Sequence, residues 1–543
     1  MSLPATDNLR RCATNWRLWL LLALAAQFAA LQLATGVEYL DAPRNLHWGL
    51  YLLEQPRFLL DADDSYDRIH GFVPSPPALA TADALVGRSA PLHPWWGPLY
   101  LMLFAAAWQL SGSYTLLRLV SPVAAGAVVL GTYAFGARYF GRRAGLLAAG
   151  LLALFPLFRE HATMAFAEPI SALVLGAALW AFLARRTAWA MLLGALAMLG
   201  KIDMIALFFG SVLALVIWPG RPDAERMPRK HVALSLAAPL LVLLPWLALT
   251  RLVFSRPATV AGGPSLAVFR ALAPLMLDQF FTLARIPTIA TLALLAALAA
   301  WAWLRRGAAR PAVYRMLAVW AAGGVAVLLV YSAAPGASNN PRVLIPALPP
   351  IVLLIADALA RLPRIVGRAA LAYVLVLFVL ADAAGLCYQV LEASALNATM
   401  PVWAALGGQP RGFVLTDQYW EATLYARQPA TWFENDPAFQ HAILWDRKRF
   451  QQYVAANDIR YVVLPRDDRL NERRLNEPLA RWYARLPLGR ALGWPTAPLV
   501  SPQVRQYLAA QPSATAGDYI IFTLGKPELP SKQGDSQTGR KFL

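Results

Sequence analysis

Long apolar runs separated by short polar segments fill the chain from residue 17 to residue 388. Many of these runs approach the roughly 20 apolar residues with which an α-helix crosses the hydrocarbon core of a bilayer. They lack the alternation of apolar and polar positions that is typical of the strands of a membrane barrel. Because only helices and closed barrels satisfy their backbone hydrogen bonds in lipid, the pattern predicts a multi-spanning α-helical membrane protein with about eleven transmembrane helices.

The first apolar run, residues 18–34, follows three arginines and lacks a small-residue cleavage site, so we expect an uncleaved membrane anchor. A second run, residues 95–110, would reverse the orientation of every later span if it crossed the membrane. We therefore expect it to lie in the interface as a juxtamembrane helix. The remaining predicted spans are residues 116–136, 144–158, 169–183, 188–199, 204–218, 232–250, 288–304, 316–331, 343–360 and 369–388.

Basic residues occupy the loops on one side of this predicted bundle. The positive-inside rule places these loops in the cytoplasm together with the N-terminus. This topology accounts for the formal net charge of +18, so we expect no nucleic-acid partner. Only 15% of the residues are charged, which is low for a soluble protein. The basic clusters are Arg185 and Arg186; Arg221, Arg226, Arg229 and Lys230; Arg305, Arg306, Arg310 and Arg315; and Arg361, Arg364 and Arg368.

The same topology divides the chain into regions. Residues 1–390 are predicted to form the transmembrane domain, which includes an acidic first outer loop at residues 36–115. Residues 391–525 fall on the outer side of the membrane and are predicted to form a small α/β soluble domain. The polar tail, residues 526–543, is predicted to be disordered. The soluble domain is indicated by β-rich runs at 414–416, 461–464 and 519–524 and by a helical pattern at 439–457.

Two carboxylates shortly after the first predicted span are candidates for a general base. Glu38 and Asp41 are three residues apart and share a face if this stretch is helical. The alternative is that they cap the start of a helix and face solvent. A second acidic cluster in the same loop either binds a cation or lies in a solvated loop, and we favour the loop and expect no metal. Its members are Asp61, Asp63, Asp64 and Asp67.

A later outer loop carries His161 and Glu168, and Glu168 lies at the mouth of the predicted span 169–183. We interpret Glu168 as a second catalytic carboxylate and His161 as a residue of a substrate pocket. The alternative for Glu168 is a charge that stabilises the start of a helix ahead of Pro169. His93, at the start of the juxtamembrane helix, can hydrogen-bond a phosphate or a sugar hydroxyl and is a further pocket candidate.

Two basic residues at the outer ends of later spans are candidates for binding a phosphate. Lys201 lies in a turn between two short spans, where a buried ammonium requires a partner. Asp203 and a lipid phosphate are the alternatives for that partner, and Asp203 is also a pocket candidate. Arg342 stands at the outer entrance of span 343–360, where its guanidinium either binds phosphate or extends to lipid headgroups.

Several common catalytic signatures are missing from the sequence. It contains no glycine-rich phosphate loop, no zinc-type spacing of cysteine and histidine, and no serine-hydrolase elbow. Its two cysteines, Cys12 and Cys387, lie at opposite ends of the predicted membrane region and indicate no disulfide framework. Chemistry on a soluble nucleotide is therefore unsupported. Outward carboxylates and cations instead suit a phosphate-bearing substrate that lies in the membrane.

The order of these features resembles the GT-C superfamily of polyprenyl-phosphate-dependent glycosyltransferases, near the protein O-mannosyltransferases and the lipid A aminoarabinose transferases. The resemblance covers most of the chain and implies a GT-C fold with juxtamembrane helices. The resemblance is most specific over residues 116–156. The other matching stretches are the acidic segment ending at 43–46, PLHPWWGPLY at 91–100, FAEP at 166–169 and PRVLIPALPP at 341–350.

The resemblance implies roles for individual residues. A first-loop carboxylate would be the base, Glu168 would assist it, and Lys201 and Arg342 would bind the carrier phosphate. The family usually has an Asp-Glu pair directly after the first helix, whereas this chain has Val-Glu at that point. Asp41 and Glu38 therefore both stay candidates for the base.

The resemblance also implies a function. It predicts an inverting glycosyltransferase that moves a sugar from a polyprenyl-phosphate carrier, undecaprenyl phosphate in a bacterium, to a lipid, glycan or protein acceptor. The reaction would take place at the outer face of the cell inner membrane, among membrane lipids and without a cofactor. The alternatives are a non-enzymatic transporter or assembly scaffold for lipid-linked saccharides, and a metal-dependent oligosaccharyl-type transferase that uses the second acidic cluster.

Overall fold

The computed structural model of the chain is mostly helical and contains one small β-sheet. The chain divides into two compact units, and the first gives way to the second between Ser394 and Ala395. The structure describes residues 16–36, 98–201, 203–217, 227–253, 311–333, 341–361, 397–416, 418–428, 430–432, 446–456, 459–466 and 500–525, and scattered positions in 42–53 and 369–390 and at Leu444.

The first unit is built from helices, which we number in chain order. They are α1 (Trp16–Thr35), α2 (Leu99–Ser111), α3 (Tyr114–Tyr139), α4 (Arg142–Ala153), α5 (Pro156–Ala162), α6 (Ala167–Leu183), α7 (Thr187–Met198), α8 (Asp203–Ile217), α9 (Arg229–Val253), α10 (Pro311–Ala333), a 3-10 helix (Pro341–Ala347) and α11 (Leu348–Arg361). Most of them are rich in alanine and leucine, which have high helix propensity. The predicted spans 288–304 and 369–388 lie largely outside the described residues.

Among the described residues, three helical segments are long and apolar enough to cross a membrane: Trp16–Thr35, Tyr114–Tyr139 and Arg342–Arg361. A fourth candidate is the pair formed by α4 and α5, which bend by 64° relative to each other. The single predicted span 144–158 is therefore broken. The reason is local, because Phe155 is extended with ψ 116° and Pro156 has no N–H to continue the hydrogen bonding of α4.

Several apolar helices are shorter than a bilayer is thick. The helix α2 has 13 residues and is thus about 20 Å long, against about 30 Å of hydrocarbon. The helices α7 and α8, with 12 and 15 residues, flank the turn that holds Lys201 and match the two short runs expected there.

Small residues allow the helices of the first unit to pack closely. A Cβ on Gly136 of α3 would come within 2.6 Å of the Cα of Gly145 in α4. A Cβ on Gly126 would come within 2.6 Å of the carbonyl oxygen of Ala25 in α1. A larger residue at either position would force the backbones apart. These contacts fix α1, α3 and α4 as the frame on which the later helices pack.

The second unit contains a five-stranded mixed sheet in the order β2-β1-β3-β5-β4. The strand β1 lies parallel to both β2 and β3, whereas β5 is antiparallel to β3 and β4. The elements of this unit are α12 (Met400–Gly407), β1 (Phe413–Thr416), α13 (Tyr419–Tyr425), β2 (Ala430–Trp432), α14 (Arg447–Ala456), β3 (Ile459–Pro465), α15 (Pro502–Ala509), β4 (Ser513–Ala516) and β5 (Tyr519–Thr523).

Alternation along the strands gives the sheet two buried faces. Leu415 and Val462 pack with α14 and α15 on one face. Val414 and Tyr461 pack with α12 and α13 on the other. The three β-rich runs predicted from the sequence are strands β1, β3 and β5. The strands β2 and β4 were not predicted, because runs of three and four residues are too short to show a clear strand pattern.

Candidate functional site

Glu168 lies in the first turn of α6, where a carboxylate interacts favourably with the helix N-terminus. The chain enters this helix through an extended Phe166, whose carbonyl accepts a hydrogen bond of 2.7 Å from the hydroxyl of Ser121 in α3. Only 3% of Glu168 is exposed. A carboxylate at this depth requires compensating charge.

Lys201 supplies that charge from the turn between α7 and α8. Its Nζ lies 2.9 Å from Oε1 of Glu168, in a buried, hydrogen-bonded ion pair. The turn itself is fixed against α2, because the N–H of Leu99 donates to the carbonyl of Leu199 at 2.9 Å. The sequence left Asp203 and a lipid phosphate as the alternatives for the partner of Lys201, and the structure shows an ion pair with Glu168.

Arg342, at the start of the 3-10 helix, approaches the same carboxylate oxygen. Its Nε lies 3.5 Å from Oε1 of Glu168, and its guanidinium lies over the ring of Phe166 at 5.2 Å. One carboxylate oxygen thus holds an ammonium and a guanidinium from two distant parts of the chain. Two cations thus share one carboxylate in this buried cluster, which we call the Glu168 cluster.

His161, in α5, lies beside the Glu168 cluster. It is 6% exposed, and its ring packs against that of Phe166 with the centroids 5.1 Å apart. Its Nδ1 lies 3.1 Å from the carbonyl oxygen of Leu157, which only accepts hydrogen bonds. The proton of the neutral imidazole is therefore assigned to Nδ1, which leaves Nε2 as an acceptor.

The first outer loop reaches the same region through Asn45. The amide of Asn45 donates a hydrogen bond of 2.8 Å to the carbonyl of Ala165, three residues before Glu168. Ala42 and Leu46, on either side of it, are fully buried. Asn45 was not among the predicted site residues, although it lies in one of the stretches that carry the family resemblance.

The structure therefore brings together Glu168, Lys201, Arg342 and His161 of the predicted site residues. Glu38, Asp41 and His93 lie outside the described residues, as does the second acidic cluster of the first loop. Asp203 begins α8, but the structure does not describe its side chain. Within the described ranges, no three His, Cys, Asp or Glu side chains are grouped as metal ligands would be.

Comparison with solved structures shows which fold this is. The chain is similar to ArnT from Cupriavidus metallidurans bound to undecaprenyl phosphate, with a TM-score of 0.56, 15% identity and coverage of 94% of this chain and 98% of that one. The apo state of the same protein gives a TM-score of 0.54, 15% identity and coverage of 92% and 97%. The Archaeoglobus fulgidus oligosaccharyltransferase in the apo form gives a TM-score of 0.47 and 14% identity, with coverage of 96% of this chain and 76% of that one.

The first two likenesses extend over nearly the whole of both chains. The chain therefore has the fold of ArnT, in agreement with the fold that the sequence resemblance implied. No protein-family model matches the chain, and no curated protein sequence matches it significantly.

Proposed function

We propose that the chain is a membrane glycosyltransferase that moves a sugar from a polyprenyl-phosphate carrier to an acceptor. The observation that carries this proposal is the Glu168 cluster, a buried site at the outer ends of the predicted spans in which two cations share one carboxylate. A buried cationic cluster attracts an anion, and a carrier phosphate is the anion that a membrane supplies from within the lipid. The ArnT structure similar to this chain contains undecaprenyl phosphate, which supports that carrier.

In this proposal Lys201 and Arg342 bind the carrier phosphate. The acceptor oxygen attacks the anomeric carbon, and the bond from that carbon to the phosphate oxygen breaks. The electron pair of that bond passes to the carrier phosphate, and the two cations stabilise the charge that develops there. Attack from the side opposite the phosphate inverts the anomeric configuration.

Glu168 is better suited to positioning than to proton transfer. A carboxylate oxygen that already lies beside the ammonium of Lys201 and the guanidinium of Arg342 is a poor proton acceptor. It instead holds both cations in the geometry in which they meet a phosphate. The acceptor proton would pass to a first-loop carboxylate, Asp41 or Glu38. Asn45 supports this assignment, because its hydrogen bond ties the first loop to the residue Ala165 beside the cluster.

The reaction would occur at the outer face of a cell inner membrane, on a multi-pass protein whose N-terminus is cytoplasmic. The second unit, on the same outer side, would contribute to the choice of a lipid, glycan or protein acceptor. Removing residues 397–543 should then change the selection among acceptors. Unchanged turnover with every acceptor after that deletion would contradict a role for the second unit.

The decisive experiment measures transfer of label from radiolabelled polyprenyl-phosphate sugars in membranes that contain the full chain. Transfer by the wild type and its loss in either Asp41→Asn or Glu38→Gln would support the proposal and identify the base. Asp357→Asn is the matched control, because Asp357 is a buried carboxylate paired with an arginine away from the Glu168 cluster. The reaction should persist in the presence of a chelator.

Two results would overturn parts of this proposal. Full transfer in both Asp41→Asn and Glu38→Gln would exclude the assigned bases. An absence of transfer from any donor, with the carrier lipid still bound, would instead favour a transporter or scaffold for lipid-linked saccharides.

A further inference from the structure

Helix α14 in the second unit begins with three consecutive cations. Arg447, Lys448 and Arg449 are all exposed, and the first turn of the helix has no acidic residue. The positive end of the helix dipole lies at this terminus and disfavours cations there. Asp446, just before the helix, accepts a hydrogen bond of 3.0 Å from the backbone N–H of Arg449, but none of the three cationic side chains has an ion pair in the part of the chain that the structure describes. The stability of their own helix therefore does not explain these three charges.

Two further arginines lie at the same edge of the second unit. The guanidinium of Arg447 lies over the ring of Tyr507 in α15, 5.6 Å from its centroid. Two residues earlier in α15, Arg505 donates from Nη2 to the carbonyl of Arg466 at 3.1 Å, and Arg466 directly follows β3 and is exposed. Side chains in a helix lean toward its N-terminus, so the cations of α14 extend toward the start of the helix. We call the five residues the basic edge: Arg447, Lys448, Arg449, Arg466 and Arg505.

The chain enters the second unit at this same edge. The N–H of Arg466 donates to the carbonyl of Asp518 at 2.7 Å, in the turn between β4 and β5. Beside Asp518, a Cβ on Gly517 would come within 2.9 Å of the carbonyl oxygen of Ala398. Ala398 stands ten positions after residue 388, where the last predicted span ends, and a chain of that length reaches at most about 35 Å. The chain itself therefore limits how far the basic edge can lie from the membrane surface.

From this we infer that the basic edge docks on the anionic headgroups of membrane phospholipids. Guanidinium and ammonium groups bind phosphate, and each cation near an anionic membrane surface strengthens binding about fivefold. The half-buried Tyr507 beside Arg447 suits this position, because tyrosine is enriched at membrane interfaces. Asp446 and Asp518 are the acids of this edge among the described residues, and Asp467 and Asp468 lie outside them. The inference does not rest on the proposed function, because its readout is lipid binding by the second unit.

The test uses the full chain in nanodiscs of phosphatidylcholine, with and without phosphatidylglycerol, and measures hydrogen–deuterium exchange in peptides that cover residues 446–456 and 502–509. In about 0.05 M salt we expect phosphatidylglycerol to slow exchange in both peptides, and in about 0.5 M salt we expect that protection to be lost, because salt screens exposed charges. Lys448→Gln combined with Arg449→Gln should abolish the protection. Arg411→Gln combined with Arg460→Gln is the matched control, because it removes two exposed cations near the amino ends of β1 and β3, and it should keep the protection.

A second measurement separates docking from a structural role. In phosphatidylcholine alone, Lys448→Gln combined with Arg449→Gln removes two cations from a helix N-terminus, so the midpoint of thermal unfolding of the second unit should stay the same or rise. A lowered midpoint would assign the two cations to folding and overturn the inference. The inference is also overturned if phosphatidylglycerol does not slow exchange in the wild type, if protection persists in this variant, or if the matched control loses it equally. Protection by soluble poly-glutamate but not by phosphatidylglycerol would assign the basic edge to an acidic protein instead.

Discussion

The helical segment Arg342–Arg361 carries an arginine with a buried carboxylate partner at each end, and the two pairs differ in how they form. At its end, Arg361 Nε lies 2.8 Å from Asp357 of the same helix, and the guanidinium also donates to the hydroxyl of Tyr314 at 2.8 Å. At its start, Arg342 meets Glu168, which belongs to another helix and also holds Lys201. The segment has 20 residues, so about 30 Å separates the pairs.

This difference shows what each pair is suited to do. The Asp357 pair is balanced in charge, has a spacing of four residues and forms wherever the helix forms. Its arginine side chain is 28% exposed, whereas the lysine and arginine of the Glu168 cluster are 8% and 12% exposed. In the Glu168 cluster two cations share one carboxylate in a more buried setting, and the cluster exists only if three segments meet. A local pair stabilises a helix end, whereas a carboxylate that holds two cations from other segments positions both of them for an anion.

Glu168→Gln should have the largest effect on stability. It leaves the cations of Lys201 and Arg342 buried without their carboxylate, which we expect to cost about 3 to 5 kcal/mol of unfolding free energy. The measurement is the unfolding of the purified protein by denaturant in nanodiscs. The double variant Glu168→Gln with Lys201→Met should recover part of the loss, since only one cation remains. Equal unfolding free energies of the wild type and Glu168→Gln would show that the ion pairs of the Glu168 cluster do not stabilise the protein.

Lys201→Met should have the largest effect on transfer. We expect a fall of about 100- to 1,000-fold in the rate, because the variant removes a buried cation that faces the developing charge on the leaving phosphate. The rate is measured with a radiolabelled polyprenyl-phosphate sugar and normalised to the amount of folded protein. Lys201→Arg keeps the positive charge, so its transfer rate should lie between those of the wild type and Lys201→Met. A normal rate in Lys201→Met would remove the cluster from the mechanism.

Asn45→Ala should act through the first outer loop. The carbonyl of Ala165 would lose the donor that lies 2.8 Å away, and a buried unsatisfied acceptor costs about 1 to 3 kcal/mol. We expect the loss to appear as faster hydrogen exchange in the loop and as a smaller reduction in transfer than Lys201→Met causes. Ser121→Ala is the comparison, because it removes a similar bond to the carbonyl of Phe166 without touching the first loop. Unaltered exchange in the loop would contradict the anchoring role.

Asp357→Asn should have the smallest effect. The pair is partly exposed and the arginine keeps Tyr314 as a partner, so we expect about 1 kcal/mol or less of destabilisation and an unaltered transfer rate. The same transfer and unfolding assays serve here. A loss of transfer comparable to that of Lys201→Met would abolish the distinction between the two ends of the segment.

The sequence allowed much of the fold to be predicted because its signals are local. Most of the predicted spans within the described residues correspond to helices, and three of the five strands were predicted, since apolar periodicity and β-rich composition act over a few residues. The prediction of one continuous span over residues 144–158 was wrong, because the helix breaks before Pro156 with a bend of 64°. The strand β2 was missed because a run of three residues is too short to show a strand pattern, and its pairing with β1 decides its conformation.

The site residues divide in the same way. The sequence alone determined that Glu168, Lys201 and Arg342 stand at the ends of apolar runs, because a charged group at membrane depth is costly and conspicuous. It did not determine that they meet. Only the tertiary structure decided that Lys201 pairs with Glu168, because the pairing joins residues that are 33 positions apart and depends on how α6 packs against the turn after α7.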